Sequence, residues 1–455
     1  MHTTLVSSLA LVAPGTPIRT GDTAWLLVAT ALVLLMTPAL GFFYGGMVRT
    51  KNVLNTLMMS FSAMGVVGVA WVLVGYSLAF APGGKWVGGL DNVFLRGVGL
   101  GGGSWGATPH LLYVCYQATF AIITVALISG AVVERMRFGA YLAFMAIWSV
   151  VVYAPVAHWV WGGGWLAQLG ALDFAGGTVV HVNAGVAALV AATVLGRRKD
   201  YGRQALLPHN ATYVLLGAGL LWFGWFGFNA GSALAANGTA ALAFANTLFA
   251  PCATLVVWML IDLARERRTT AVGAATGIVV GLVAITPAAG FVSPLGALAL
   301  GAVAAFPSYF AILHRPRTRL DDSLDVFAAH GTGGMVGALL TGVFAQAVWG
   351  GTDGLLFGNP SLLAKQALAV LAVAAYSGVA TVAILRGLAL VVPLRRTATE
   401  ESLGLDLVEH GEEGYARGEG AVLVLPELVP VGAPAHGDLV SPLSSQGFTS
   451  VEEAL

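Results

Sequence analysis

Residues 178–199 read TVVHVNAGVAALVAATVLGRRK. No Asp, Glu, Lys or Arg interrupts the run from 178 to 196, and a basic cluster, Arg197, Arg198 and Lys199, stops it. Roughly 20 apolar residues in a row are what an α-helix needs to cross about 30 Å of hydrocarbon. A surface helix of a water-soluble domain would carry a polar stripe. This run carries only one imidazole, His181, and the amide of Asn183. It reads as a transmembrane helix with a single ionisable group inside.

Ten further runs of the same kind lie near 23–44, 57–80, 110–133, 139–161, 211–233, 241–263, 271–289, 294–313, 324–345 and 363–392. The expectation is an all-α polytopic membrane protein of eleven transmembrane helices. Composition agrees: of 455 residues 57% are hydrophobic and 10% charged, too few charges to cover a soluble domain of this size. The 60 glycines suit helix packing in lipid, where small residues let backbones approach; Gly273, Gly277 and Gly281 are spaced for it. A net charge of zero gives no nucleic-acid surface. Cys115 and Cys252 stand alone in separate apolar runs, so no disulfide framework, metal site or cofactor is expected.

With the N-terminus outside, the basic residues fall on one side. Arg49 and Lys51, Arg135 and Arg137, Arg197 to Lys199 with Arg203, Arg265 to Arg268, Arg315 to Arg319, and Arg395 with Arg396 all lie inside. That is the positive-inside pattern of a cytoplasmic (cell inner) membrane protein, and the odd helix count leaves the C-terminus in the cytoplasm. Three segments follow: an outer 1–22, a membrane domain 23–392 and a cytoplasmic tail 393–455. The first thirteen residues are apolar but have no basic leader, so a cleaved signal peptide finds little support. An internal repeat is faintly visible: His181 precedes Asn183 and Gly185 in the fifth run as His330 precedes Thr332 and Gly334 in the tenth. Five helices per repeat is odd, which inverts the second copy and puts a pathway at the interface.

Ionisable groups inside a span are functional candidates by default. A lone buried His is more often structural; two at equivalent points of inverted repeats meet at one axis and can share a hydrogen. Aromatic residues bracket that level: Tyr116 and Phe120 early in the third run, Trp161 at the end of the fourth, and Trp222, Trp225, Phe226 and Phe228 late in the sixth. They fit an interfacial belt or a cation–π cage, to which Ser232 adds a hydroxyl acceptor. Asp173, eight residues before His181, fits a helix cap that also supplies negative potential. No nucleophile–base set stands out, which argues against an enzyme.

The stretches PALGFFYGGMVRTKNVLN (38–55), QATFAIITVALISGAVVERMRF (117–138), HWVWGGGWLAQLGALDFAGGTVVHVNAG (158–185), GWFGFNAGSA (224–233), TPAAGFV (286–292), FAAHGTGGMVG (327–337) and GLDLVEHGEEGY (404–415) together resemble the ammonium transporter family. The resemblance runs from about 23 to 417. It implies a 5+5 inverted repeat plus a final helix, and a homotrimer with one pore per subunit. It further implies an outer ammonium site on Trp161, Ser232 and Phe120 with Tyr116 beside them, a gate of Phe120 and Phe228, and a pore lined by His181 and His330. Asp173 matches the acidic residue of ammonium recruitment. Trp161 favours the ammonium transporter branch over the related Rhesus-type channels, which usually lack it. Tyr116, where some members have Phe, is a mild departure. The mechanism implied is capture of ammonium, deprotonation, and passage as ammonia with separate proton transfer. An electroneutral Rhesus-type channel and an ammonium sensor signalling through the tail are the alternatives. For 404–415 the resemblance implies a PII-type signalling partner; a tail packed between subunits explains that segment equally well.

Overall fold

The computed structural model describes residues 17–101, 106–204 and 206–415. The N-terminal stretch on which the signal-peptide reading fell, and the end of the tail, lie outside the described residues. In chain order the long helices are α1 (Thr20–Met47), α2 (Thr50–Phe80), α3 (His110–Val132), α4 (Phe138–Leu169), α5 (Gly177–Leu195), α6 (Ala211–Gly231), α7 (Gly238–Glu266), α8 (Ala271–Ile285), α9 (Pro294–Arg317), α10 (Phe327–Phe344) and α11 (Pro360–Ala389). Ten of them are long and apolar enough to cross a membrane; α8 has 15 residues and is shorter. The eighth apolar run, expected over 271–289, stops being helical at Ile285 because Pro287 has no N–H to continue the ladder. Residues 286–291 follow as turns.

The packing explains the composition. α3 and α5 are enclosed on most sides, whereas α7 and α11 turn most of their surface outward. That outer surface is itself apolar, with Leu216, Phe223, Val256, Leu260, Phe306, Leu371 and Val379 all exposed. Helices that satisfy their own backbone and present such side chains belong in lipid. The molecule is a multi-pass membrane protein.

Two rims of loops close the helices at their ends. On one, Arg49 donates to both Glu134 oxygens (3.0 to 3.1 Å) and to Asp200 (2.8 Å). Arg198 donates to Glu134 (2.9 Å) and clasps Asp321 with two bonds of 2.8 and 2.9 Å. This network ties the α1–α2, α3–α4, α5–α6 and α9–α10 loops together. Burial opposes ionisation of Glu134, yet Arg198 and Arg49 outweigh it and hold the carboxyl at about 2. The tail caps the same rim with two short helices, α12 (Ala398–Leu403) and α13 (Leu405–His410). Asp406 accepts from Leu54 and Asn55 N–H at the start of α2, and Glu409 takes Arg396 and the N–H of Phe138. On the other rim, Asp22 accepts from Ala236 N–H, Phe174 N–H donates to Pro287 O, and Gln346 N–H donates to Phe291 O.

Candidate pore and outer cation site

α5 and α10 open in the same unusual way. Each begins with a six-residue π-helical turn, Gly177–Val182 and Phe327–Thr332, and each turn carries its histidine. Such turns recur at functional sites because they widen the helix locally. The two helices meet at glycine: a Cβ on Gly185 would lie 2.3 Å from the Cα and N of Gly331. That contact brings His181 Nδ1 to 3.2 Å from His330 Nδ1, with ring centroids 5.3 Å apart and planes at 24°. Both rings are buried. Across this contact one nitrogen donates and the other accepts. Nε2 of His181 has no hydrogen-bond partner among the described residues.

A second aromatic ring continues the stack. Trp225 lies 5.4 Å from His181 with planes at 22°, and its indole N–H donates to Thr286 Oγ1 (2.9 Å). The sequence alone leaves Trp225 in an undifferentiated aromatic crowd and gives Thr286 no part. The structure divides that crowd. Trp222 donates to Thr247 O and Phe226 stacks on Phe244, so both turn toward α7 and away from the histidines.

Toward the other rim lie the remaining candidates. Phe120 and Phe228 stack with centroids 4.2 Å apart and planes at 25°, and Phe228 is 6.0 Å from His181. Trp161 and Phe120 make a T-shaped contact at 5.8 Å and 90°, and Tyr116 lies 5.0 Å from Phe120 at 63°. Ser232 Oγ donates to Phe228 O (2.8 Å), which leaves its oxygen able to accept. The Tyr116 hydroxyl lies 3.0 Å from the carbonyls of Gly227 and Phe228 and 3.3 Å from Ser232 Oγ. Tyr116, Phe120, Trp161, Phe228 and Ser232 therefore form one cluster, with His181 and His330 directly beyond the phenyl stack.

Asp173 is placed differently. Its carboxylate accepts from the backbone N–H groups of Gly176, Gly177, Thr178 and Val179 and from the Thr178 hydroxyl, so it caps the start of α5. Its backbone carbonyl accepts the Trp161 indole N–H at 2.9 Å. The carboxylate is spent on the start of α5, and the contact to Trp161 is made by the main chain.

Two cavities adjoin the histidine pair. One of about 10 Å³ is lined by His181, His330, Phe228, Trp225, Ile123, Leu127 and Val279, room for one water at most. The other, about 300 Å³, lies between His330 and the rim of ion pairs and is bounded by Asp325, Asp262, Glu266, Tyr309 and Trp258. Among the described residues there is no group of metal-ligating side chains.

This arrangement has relatives. A model of the Ammonium Transporter Family matches residues 24–415. An ammonium transporter of Bacillus subtilis is 50% identical over 399 residues, covering 87% of this chain and 98% of its own. One from Aquifex aeolicus is 53% identical over 401 residues, covering 87% and 93%. The crystal structure of Candida albicans Mep2 superposes with a TM-score of 0.80 at 37% identity, covering 84% of this chain and 88% of that one. A structure titled Sensor Amt Protein gives 0.80 at 29% identity, covering 86% and 98%. With its family pattern running unbroken from α1 to the last described residue, the chain belongs to the ammonium transporter family.

Proposed function

We propose that the protein takes up ammonium through a pore within each chain: it captures the cation at the outer aromatic cluster, removes a proton, and passes ammonia along the paired histidines. The observation that carries this reading is the His181–His330 contact in a cavity of about 10 Å³ immediately behind stacked phenyl rings. Ammonium and potassium share charge and similar size. Moving a bare cation into such a space costs tens of kcal/mol by Born estimates, a neutral amine only a few. Only the cation that can shed a proton escapes that cost.

The outer cluster has the chemistry for capture. The Trp161 and Phe120 rings offer π faces, worth about 0.5–2 kcal/mol per contact, and Ser232 and Tyr116 offer oxygen acceptors for N–H donors. The Asp173 carboxylate adds negative potential through space. Beyond the gate, the two imidazoles offer the substrate a donor and an acceptor in turn and relay its proton separately.

The same reading takes α8 as the eighth of eleven crossings. Arg198, after α5, is bonded to Asp321, after α9. Residues on one rim are separated by an even number of crossings. α6, α7 and α9 supply three, so a fourth must be α8. The turns at 286–291 add reach to a helix about 22 Å long. The rim holding Arg49, Arg135, Arg198, Arg315 and Arg395 is then cytoplasmic, the N-terminus is outside, and α1–α5 and α6–α10 are inverted repeats. Each chain is one subunit of a homotrimer, and the tail-capped rim is the face offered to a PII-type protein.

A solid-supported membrane carrying reconstituted protein tests the reading. An ammonium pulse evokes a current and a potassium pulse does not. Ammonia flux without current would instead support an electroneutral Rhesus-type channel. Growth of a transport-deficient strain on low ammonium separates transporter from sensor.

A further inference from the structure

α11 stands outside the ten helices of the paired repeats, and the proposed mechanism gives it no part. One of its side chains nevertheless reaches the loop residue next to Asp173. Gln366 is almost fully buried, at 1% exposure. Its Oε1 accepts the N–H of Leu172 at 2.7 Å and its Nε2 donates to the carbonyl of the same residue at 2.7 Å. The second amide hydrogen goes to Ala338 O on α10 at 3.1 Å. An amide that holds both main-chain groups of one loop residue does what a neighbouring strand would do. The approach depends on Gly342 of α10, where a Cβ would lie 2.8 Å from Leu363 Cα and 3.1 Å from Gln366 Cγ.

The clamped residue adjoins Asp173. Two residues further on, Phe174 N–H donates to Pro287 O at 3.1 Å. Asp173 is thus strung between two fixed points, Leu172 and Phe174. From it hang both parts of the site: its carbonyl receives the Trp161 indole N–H, and its carboxylate starts the helix that carries His181. A buried amide satisfying a loop backbone explains the hydrogen bonds alone. It does not explain why they grip the residue beside the one that orients the indole.

We propose that Gln366 is a positioning residue for the outer cation site, fixing the 172–174 backbone and through it the face of Trp161. Its contribution goes to capture of the cation and not to throughput of the pore. The inference rests on the outer-site reading above, and the test separates the two. Ammonium-evoked currents are recorded from the full chain in proteoliposomes for wild type, Trp161→Ala, Gln366→Met and the double variant. Methionine keeps the shape of glutamine and lacks its hydrogen bonds.

The half-saturation concentration rises about three- to thirty-fold in Trp161→Ala, and by a similar factor in Gln366→Met, with maximal current per assembled protein held within about two-fold. The double variant rises no further than Trp161→Ala alone, because both changes remove one interaction. A loss of melting temperature in Gln366→Met with unchanged half-saturation, alongside a raised value in Trp161→Ala, overturns the positioning role. So does full additivity in the double variant. An unchanged Trp161→Ala overturns the outer-site reading itself. Should the methionine variant fail to assemble, Gln366→Asn, one methylene short, is read by the same criteria.

Discussion

Asp173 commits both carboxylate oxygens to the start of α5, bonding four backbone N–H groups and a hydroxyl. Replacing it with alanine therefore has two separable effects. Loss of the cap costs about 0.5–2 kcal/mol, seen as a lower melting temperature. Loss of negative potential, with the α5 start shifting, raises the half-saturation for ammonium. A lowered melting temperature with wild-type half-saturation would leave capping as its sole role. Thr286 makes a sharper case, since it accepts the indole hydrogen of Trp225, which lies parallel to His181. Thr286→Val keeps the shape and leaves a buried N–H unpaired, a loss of about 1–3 kcal/mol. Thermal denaturation in detergent registers it, and wild-type stability would show that the indole had found another acceptor. Neither Trp225 nor Thr286 was separable in the sequence from ordinary packing. An apolar run does not reveal which ring lies against an imidazole on the preceding helix.

Helix existence, unlike helix pitch, is written in the sequence. Eleven apolar runs are expected and each is a helix in the structure, ten of them of membrane length, because lipid demands apolar side chains residue by residue. The π-helical turns at Gly177–Val182 and Phe327–Thr332 are invisible to that pattern. They differ from α-helix in which carbonyl each N–H finds, and apolarity does not record it. The apolar run over 271–289 outlasts the helix α8 by four residues for a related reason, a proline whose missing N–H ends the ladder. The Gln366 clamp leaves a trace, an amide inside an apolar span, but its partner Leu172 lies 194 residues away. Where α5 crosses α10, Gly185 is the element-scale test. A methyl group there must displace the Gly331 backbone, and overpacking of this kind costs about 1–3 kcal/mol. Gly185→Ala is expected to lower the melting temperature and cut ammonium current per assembled protein, because the histidines ride on the displaced helices. Full current at a lowered melting temperature would mean that the crossing can shift without parting them.

Over the whole molecule, the ion pairs of the tail-capped rim join four loops that the helices alone leave separate. Glu134 is central, holding Arg49 and Arg198 while buried. Its carboxyl lies near 2 against an ordinary value of 4.5. A carboxyl depressed on folding stabilises the folded state above its unfolded value and loses that contribution as pH falls toward the folded one. The melting temperature should therefore fall between about pH 5 and pH 2 in wild type, and Glu134→Gln should flatten that part of the profile. The variant should also lose about 3–5 kcal/mol at neutral pH, since two guanidinium groups lose a buried partner. An unchanged acid limb would assign the sensitivity to other carboxylates. The molecule as a whole is then a frame around two imidazoles, buried and in contact, which on the proposed mechanism select the cation able to surrender a proton. The most direct measurement compares ammonium-evoked and potassium-evoked currents in vesicles for wild type and the His181→Ala/His330→Ala double variant. Wild type passes ammonium alone; the double variant is expected to lose ammonium current, potassium exclusion, or both. Normal ammonium current with potassium still excluded would show that the paired histidines do not carry the selectivity.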